Sequence, residues 1–248
     1  MKVLLLGGTA EARALAVALH PDVAVISSLA GRVPDPALPV GAVRVGGFGG
    51  VDGLRHWLRE ERVDAVVDAT HPFAATITAH AAAACAELGV PHLILARPGW
   101  EPGDALRVPS NTEAAKTVAT RGFERVFLTS GRSSVAAFAD SAAWFLIRVV
   151  TAPDPDTLPA RHQVLLSRGP YRYDDEHALL HTHRIDALVT KNSGGDMTRA
   201  KLDAAAALGI PVVMVERPSL PTGVDTVATV EDAVSWVHST IRSGSGAG

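Results

Sequence analysis

A disulfide framework is the first thing the sequence excludes. The 248 residues include one cysteine, Cys85, inside the alanine-rich run AAAACAEL, where a buried, inert thiol is expected. Charge of one sign is equally scarce. A formal net charge of −3 sets up no field that would recruit nucleic acid or a membrane surface, and neither is expected as a partner. No apolar run approaches the ~20 residues that a bilayer span needs. The chain enters its first apolar segment without a basic leader or a small-residue cleavage site, so no signal peptide is expected and a cytoplasmic location is. Several catalytic signatures are also missing. H-E-x-x-H, C-x-x-C and His/carboxylate clusters with ligand spacing are absent, so no metal is expected. His181 and His183 are one residue apart on an expected helix and diverge in direction. Neither the G-x-S-x-G elbow nor the G-x-x-x-x-G-K-[ST] loop occurs, which argues against a serine hydrolase elbow and a P-loop NTPase.

What is present reads as an α/β protein. Hydrophobic residues make up 47% and charged residues 20% of a chain long enough for one large domain or two small ones. The opening stretch MKVLLLGGTAEAR organises the rest. Val3 to Leu6 is an apolar run suited to a strand buried on both faces, Gly7-Gly8-Thr9 breaks it, and Ala10 to Leu19 resumes at helical spacing. A buried strand, a glycine turn and a helix N-terminus form an anion site, because the first-turn N–H groups and the helix dipole point over the turn. The dinucleotide fingerprint G-x-G-x-x-G/A would read Gly7, Thr9, Ala12, with threonine at the second glycine. Thr9 is read as a helix cap, with phosphates leaning on the Gly7 and Gly8 backbone. A plain strand-to-helix turn is the competing account.

Strands and helices then alternate, which argues for parallel sheets covered by helices. Strands are expected at Val23–Ser27, Val43–Val45, Asp64–Asp68 and His92–Leu95, with helices at Val51–Glu60 and Phe73–Leu88. The Pro/Gly-rich segment Arg97–Asn111 is the best linker. Beyond it, strands are expected at Arg125–Leu128, Trp144–Val150, Gln163–Leu166, Ala187–Thr190 and Val212–Val215. The helices there are Ser133–Ala139, one from about Asp174, Thr198–Leu208 and Glu231–Ile241, ahead of a Ser/Gly tail. The expected fold class is α/β, with two lobes of similar architecture, residues 1–110 and 111–248, each built on a parallel five-stranded sheet, and a cleft between them.

Ligands of open parallel sheets bind beyond the carboxyl ends of the strands. Those ends read GGTAEAR, SSLAGR, DATHPF, LARPGW, TSGR, SRGPY, TKNSGGDMT and VERP, which together concentrate cations or imidazole with Gly, Ser and Thr. In SSLAGR, Ser27, Ser28 and Arg32 stand where NAD-binding folds place an acid, and no carboxylate lies between Asp22 and Asp35. A dinucleotide bound here is therefore expected to be NADPH rather than NADH. Arg13 either assists it or pairs with Glu11 or another neighbour. His71 in DATHPF sits at a strand-to-helix turn, placed to donate to a phosphate or carbonyl or to pass a proton, or simply to cap. In TKNSGGDMT, Asp196 or Thr198 is expected to cap the next helix. Lys191 and Asn192 then project over the strand end, where lysine charge and turn amides suit an anion.

The motifs GGTAEAR, DATHPFAATITAHA, LARPGW, TSGR, RGPY and TKNSGG, followed by AKLDAAAALGIPVVMVERP, occur in order from Met1 to about Pro218. As a set they resemble the precorrin-6A reductase family of cobalamin biosynthesis. That resemblance implies NADPH-dependent reduction of one double bond of the precorrin-6A macrocycle to precorrin-6B, a two-lobed Rossmann-like architecture and a small-molecule tetrapyrrole substrate, metal-free or cobalt-containing. The expected cofactor residues are Gly7, Gly8, Thr9, Ala10, Arg13, Ser27, Ser28, Arg32 and Thr70. A polycarboxylate substrate suits Arg132, Arg168, Arg172, Asn192, Ser193, Gly194 and Arg199, and His71, Lys191, Tyr171 or a water are candidate proton donors. The rivals are a non-catalytic NADP-sensing protein and a cofactor-free tetrapyrrole enzyme.

Overall fold

A computed structural model describes residues 2–31 and 38–244. The chain begins with β1 (Lys2–Leu6), α1 (Ala10–Leu19), β2 (Ala24–Leu29), β3 (Ala42–Val45), α2 (Gly50–Glu60), β4 (Ala65–Asp68), α3 (Ala75–Leu88) and β5 (His92–Leu95). Because strand side chains alternate, β1 feeds two cores. Val3 and Leu5 pack with Ala12, Leu15, Ala16 and Leu19 of α1. Leu4 and Leu6 pack with Leu54 and Leu58 of α2 and with Ala81, Ala84 and Cys85 of α3. Burial on that second face pushes the Cys85 thiol up to about 12, so it stays protonated and inert. Helix α3 stops at Gly89, which takes a left-handed conformation at φ 64°.

The next stretch builds a second sheet. It comprises β6 (Leu106–Val108), α4 (Asn111–Thr120), β7 (Arg125–Leu128), a 3-10 turn (Arg132–Phe138), β8 (Trp144–Val149), β9 (His162–Leu166), α5 (Tyr173–Thr182), β10 (Ala187–Lys191), α6 (Ala200–Ala207) and β11 (Val212–Val215). Its strand order is β6-β11-β10-β7-β8-β9, all parallel. Phe127, Leu146 and Leu188 of the sheet pack on Leu180 of α5 and Ala204 and Ala205 of α6.

The chain then returns to the first sheet through β12 (Asp225–Val227), which pairs with β5, and α7 (Val230–Gly244). Ala233 and Val237 of α7 complete the core that α1 covers. The first sheet therefore has the order β12-β5-β4-β1-β2-β3, the doubly wound arrangement with its switch point between β1 and β4.

The α/β class and the parallel sheets agree with the sequence reading, but each sheet has six strands rather than five. The extra strands, β6 and β12, are three residues long, too short for an apolar period, and are held by pairing to β11 and β5. Helix α4 falls where no helix was expected, although Ser110 caps it by accepting the Glu113 N–H at 3.1 Å, an S-x-x-E start signal. The two compact units are Met1–Arg97 with Pro218–Gly248, and Pro98–Arg217. The boundary thus lies before the Pro/Gly segment rather than at residue 110, and residues after 217 belong with the first lobe. Neither Asp196 nor Thr198 caps α6, whose N-cap is Arg199 without a side-chain bond, and Ser133–Ala139 forms a 3-10 turn instead of an α-helix.

Candidate active site

In the first unit the site is built on the carboxyl ends of β2, β1 and β4. The Gly7 N–H donates to the Ser28 carbonyl at 3.0 Å, and Gly8 follows at φ 108°, a conformation that side chains resist. Thr9, at the second fingerprint position, caps α1 by accepting the Ala12 N–H at 3.1 Å. Its hydroxyl also donates to the Ala69 carbonyl at 2.7 Å, tying the end of β1 to the end of β4. Thr9→Ala removes both bonds and is expected to destabilise the protein by about 1–2 kcal/mol, measurable by urea unfolding. The N–H groups of Ala10 and Glu11 have no backbone acceptor among the described residues, and first-turn amides of this kind form an anion cradle.

Gly7, Gly8, Ala12, Arg13, Ser27, Leu29 and Pro39 line a small depression over this turn. Ser27 is 1% exposed, and its Oγ has no hydrogen-bond partner among the described residues. A buried hydroxyl without a partner is unusual in a finished fold and fits a group supplied from outside. Arg13 is half-buried and makes no ion pair among the described residues, because Glu11 pairs with Arg97 at 2.7 Å instead. Ser28 points to the other face and accepts from Arg44 Nη1 at 2.8 Å. Arg32, the expected cation at this strand end, lies outside the described residues.

At the end of β4, Asp68 is 2% exposed. Its Oδ1 accepts the Thr70 N–H at 2.9 Å and the Thr70 hydroxyl at 2.6 Å, so Thr70 shapes the DATHPF turn. His71 is exposed on that turn, and its Nδ1 accepts the Phe73 N–H at 3.2 Å, which puts the proton of the neutral ring on Nε2. Beside it, Pro72, Ala75, Thr78, Ala79 and Pro218–Pro221 enclose a largely apolar pocket of about 320 Å³.

In the second unit, the switch point of the sheet lies between β7 and β10, where the TSGR and TKNSGG loops leave the strands. Arg132, Arg168 and Arg172 are exposed and make no hydrogen bond or ion pair among the described residues. Arg199 reaches Asp203 at 3.4 Å. The loop itself is rigidly built. Asn192 Oδ1 accepts the Trp100 N–H at 2.7 Å and its Nδ2 donates to the Trp100 carbonyl at 3.0 Å. Arg217 donates to the carbonyls of Asn192, Ser193 and Pro98 at 2.8, 3.0 and 3.1 Å. Gly194 has φ 66°, and a Cβ there would stand 2.1 Å from the Pro98 oxygen. Asn192 and Gly194, expected to touch substrate, therefore have a loop-building role in this geometry. Lys191 is half-buried, and loss of water lowers the pKa of its ammonium group. The Tyr171 hydroxyl donates to the Ser167 carbonyl at 3.1 Å. Sequence reasoning did not single out Arg44, Trp100 or Arg217 as builders of the site. The one sequence signal for Arg44 is the glycine-rich strand-to-helix turn VRVGGFGG, which repeats the pattern of the first turn.

Residues 2–238 match the model of the family described as CbiJ: Precorrin-6x reductase CbiJ/CobK. The chain belongs to this family. Among its relatives, the protein named Precorrin-6A reductase from Mycobacterium tuberculosis (strain CDC 1551 / Oshkosh) is 71% identical over 95% of this chain and 97% of its own length. The Precorrin-6A reductase of Rhodococcus erythropolis is 54% identical over 97% and 99%. A solved structure described as CobK precorrin-6A reductase superposes with a TM-score of 0.87 at 37% identity, covering 97% of both chains. Among the described residues no group of three or more His, Cys, Asp or Glu could hold a metal ion, and no helix is long and apolar enough to cross a membrane.

Proposed function

We propose that this precorrin-6x reductase family member reduces one double bond of precorrin-6A in the cytoplasm, using NADPH and giving precorrin-6B. The observation that carries the cofactor is the switch-point turn. Gly7 and Gly8 leave room for a pyrophosphate, and among the described residues the Ala10 and Glu11 amides lack backbone acceptors and the buried Ser27 hydroxyl has no partner. Arg13 adds a cation with no ion pair among the described residues, and the end of β2 carries hydroxyls instead of a carboxylate. These residues fit NADPH, which supplies hydride when bound. A dinucleotide laid across the switch point has its adenosine half towards β2 and β3 and its nicotinamide half towards β4, where Thr70, His71 and the apolar pocket lie.

Saturating a conjugated double bond takes one hydride and one proton. Of the three side-chain donors considered, Tyr171 already donates to Ser167. His71, on the nicotinamide side, is assigned the proton, which it gives from Nε2 as an imidazolium charged from solvent, the Phe73 N–H being released from Nδ1 in that form. Arg132, Arg168 and Arg172 hold the substrate's carboxylates, each useful fork contributing roughly 1.5–3 kcal/mol where water is partly excluded. Lys191 and Arg199 add point charge. The metal-free macrocycle is preferred to its cobalt form, in line with the names of the relatives at 71% and 54% identity.

Fluorescence titration with NADPH and NADH, followed by addition of precorrin-6A or cobalt-precorrin-6A while NADPH absorbance is read, tests this. The expected result is tighter NADPH binding and oxidation on adding precorrin-6A. Binding without turnover would instead indicate an NADP-sensing protein, and macrocycle binding without NADPH affinity a cofactor-free enzyme. Arg132→Ala and Arg168→Ala are each expected to raise KM for the macrocycle about tenfold with kcat nearly unchanged, as loss of a uniform binding contact does.

A further inference from the structure

Arg44 is the third residue of β3, and its Cα pairs with that of Ser28 across the β2–β3 register. Its guanidinium lies over the Phe48 ring, 3.7 Å from the centroid, and has lost part of its water to burial. Nη1 donates to Ser28 Oγ at 2.8 Å and to the Gly46 carbonyl at 2.9 Å, and Nη2 donates to the Gly47 carbonyl at 3.1 Å. Three of the five guanidinium N–H groups are thereby committed to the turn and to Ser28. The Nε–H has no acceptor among the described residues and one Nη2–H is left over; with the Gly47 carbonyl on the outer Nη2–H, these two run parallel along the remaining edge. Stacking on Phe48 and the bonds to the Gly46 and Gly47 carbonyls hold that edge in place. It is a ready-made two-pronged donor of the kind that fits the oxygens of a phosphate monoester.

Its position gives the fork a task. The end of β2 is where a dinucleotide's adenosine ribose sits, and where an acid would accept from the 2′-hydroxyl. Here that place holds Ser28, and Ser28 is hydrogen-bonded to Arg44. We infer that the free Nε–Nη2 edge of Arg44 binds the 2′-phosphate of the adenosine ribose and makes this residue the determinant of cofactor preference. The inference rests on the NADPH reading and adds the residue that distinguishes NADPH from NADH. A phosphate dianion takes two charge-assisted bonds from the fork, whereas the neutral 2′-hydroxyl of NADH takes neither with comparable strength.

The test compares binding of NADPH, NADH, 2′,5′-ADP and 5′-AMP to the wild type, Arg44→Gln and Arg44→Lys. In Arg44→Gln, NADPH and 2′,5′-ADP are expected to weaken about thirtyfold or more, and NADH and 5′-AMP less than about threefold. Arg44→Lys is expected to fall between, because it keeps the charge and loses the fork. Equal losses for phosphorylated and unphosphorylated ligands, or no loss, would reduce Arg44 to a support of its turn and overturn the assignment. A wild type that prefers NADPH while both variants keep that preference overturns Arg44 alone. A wild type that binds neither NADPH nor 2′,5′-ADP overturns the cofactor reading as well. Should the variants unfold, a crystal of the wild type with 2′,5′-ADP decides. The 2′-phosphate within hydrogen-bond distance of Nε and Nη2 supports the inference, and its placement elsewhere ends it.

Discussion

Glu176→Ala is expected to destabilise the protein by about 3–5 kcal/mol, a large part of the roughly 5–15 kcal/mol that holds a domain folded. Glu176 and Arg148 form a two-pronged pair whose side chains are 3% and 4% exposed; the second bond, Arg148 Nη2 to Glu176 Oε2, is 2.8 Å long. Removing the carboxylate leaves the guanidinium buried without a counter-charge, and that uncompensated charge, more than the lost attraction, sets the size of the effect. The double variant Arg148→Met/Glu176→Leu is therefore expected to recover most of the stability, although it removes the same pair. The consequence extends to the site. The Arg148 guanidinium stacks on the Tyr171 ring at 3.7 Å from the centroid, and Tyr171 closes the RGPY loop by its bond to the Ser167 carbonyl. That loop carries Arg168 and Arg172, so Glu176→Ala is also expected to raise KM for the macrocycle. Urea unfolding and steady-state kinetics on the same three proteins check both effects. If the single variant lost less than about 1 kcal/mol, the pair would be no more than an exposed-type contact.

How far such features are legible in the sequence depends on where their causes lie. The first turn was readable because its causes are local. An apolar run buried on both faces, two glycines and a capping threonine are consecutive residues, and Thr9 caps α1 as read. Strands β5, β7 and β11 fall at the expected bounds for the same reason. Strands β6 and β12 were not readable, since a three-residue strand exists only by virtue of its partner. The return of the chain to the first sheet is likewise a pairing fact. Arg44 looks like an ordinary polar residue of an edge strand until Ser28 is set beside it. Glu176 follows Asp174 and Asp175 in a first helical turn, where acids are ordinary, and nothing local shows that it alone points inward to Arg148. Lys201, in AKLDAAAA, has the spacing of a surface lysine, yet it is 3% exposed.

Lys201→Met is expected to change how stability responds to pH, and the sign follows from linkage. The Lys201 Nζ donates to the Thr198 carbonyl at 2.7 Å and lies 4.6 Å from the Trp100 ring centroid. Burial first, and the neighbouring Arg148 charge second, bring its pKa down from 10.5 to about 7, against the opposing pull of Glu176. Between those values the unfolded chain holds a proton at this lysine that the native protein has released. The unfolded state thus binds more protons, so this group makes stability rise with pH from about 7 to 10.5, and its destabilising effect is fully present below 7. The full span corresponds to an effect on the order of 5 kcal/mol. Relative to Lys201→Met, the wild type is expected to be less stable near pH 7 and to close that gap as pH approaches 10. Other lysines and tyrosines titrate in the same range, but they are common to both proteins and cancel in the difference. Urea midpoints measured on the pair at pH 7, 8, 9 and 10 give the result directly, and a difference that stays constant with pH would show the ammonium group to be solvated. The same comparison in the Glu176→Ala background is more demanding. With the carboxylate gone, Arg148 acts on Lys201 unopposed, the lysine's pKa falls further, and the closing of the gap is expected to begin below pH 7. A window that does not move would mean that Lys201 and the Arg148–Glu176 pair are electrostatically independent, although all three are buried and the pair's charges act on the lysine.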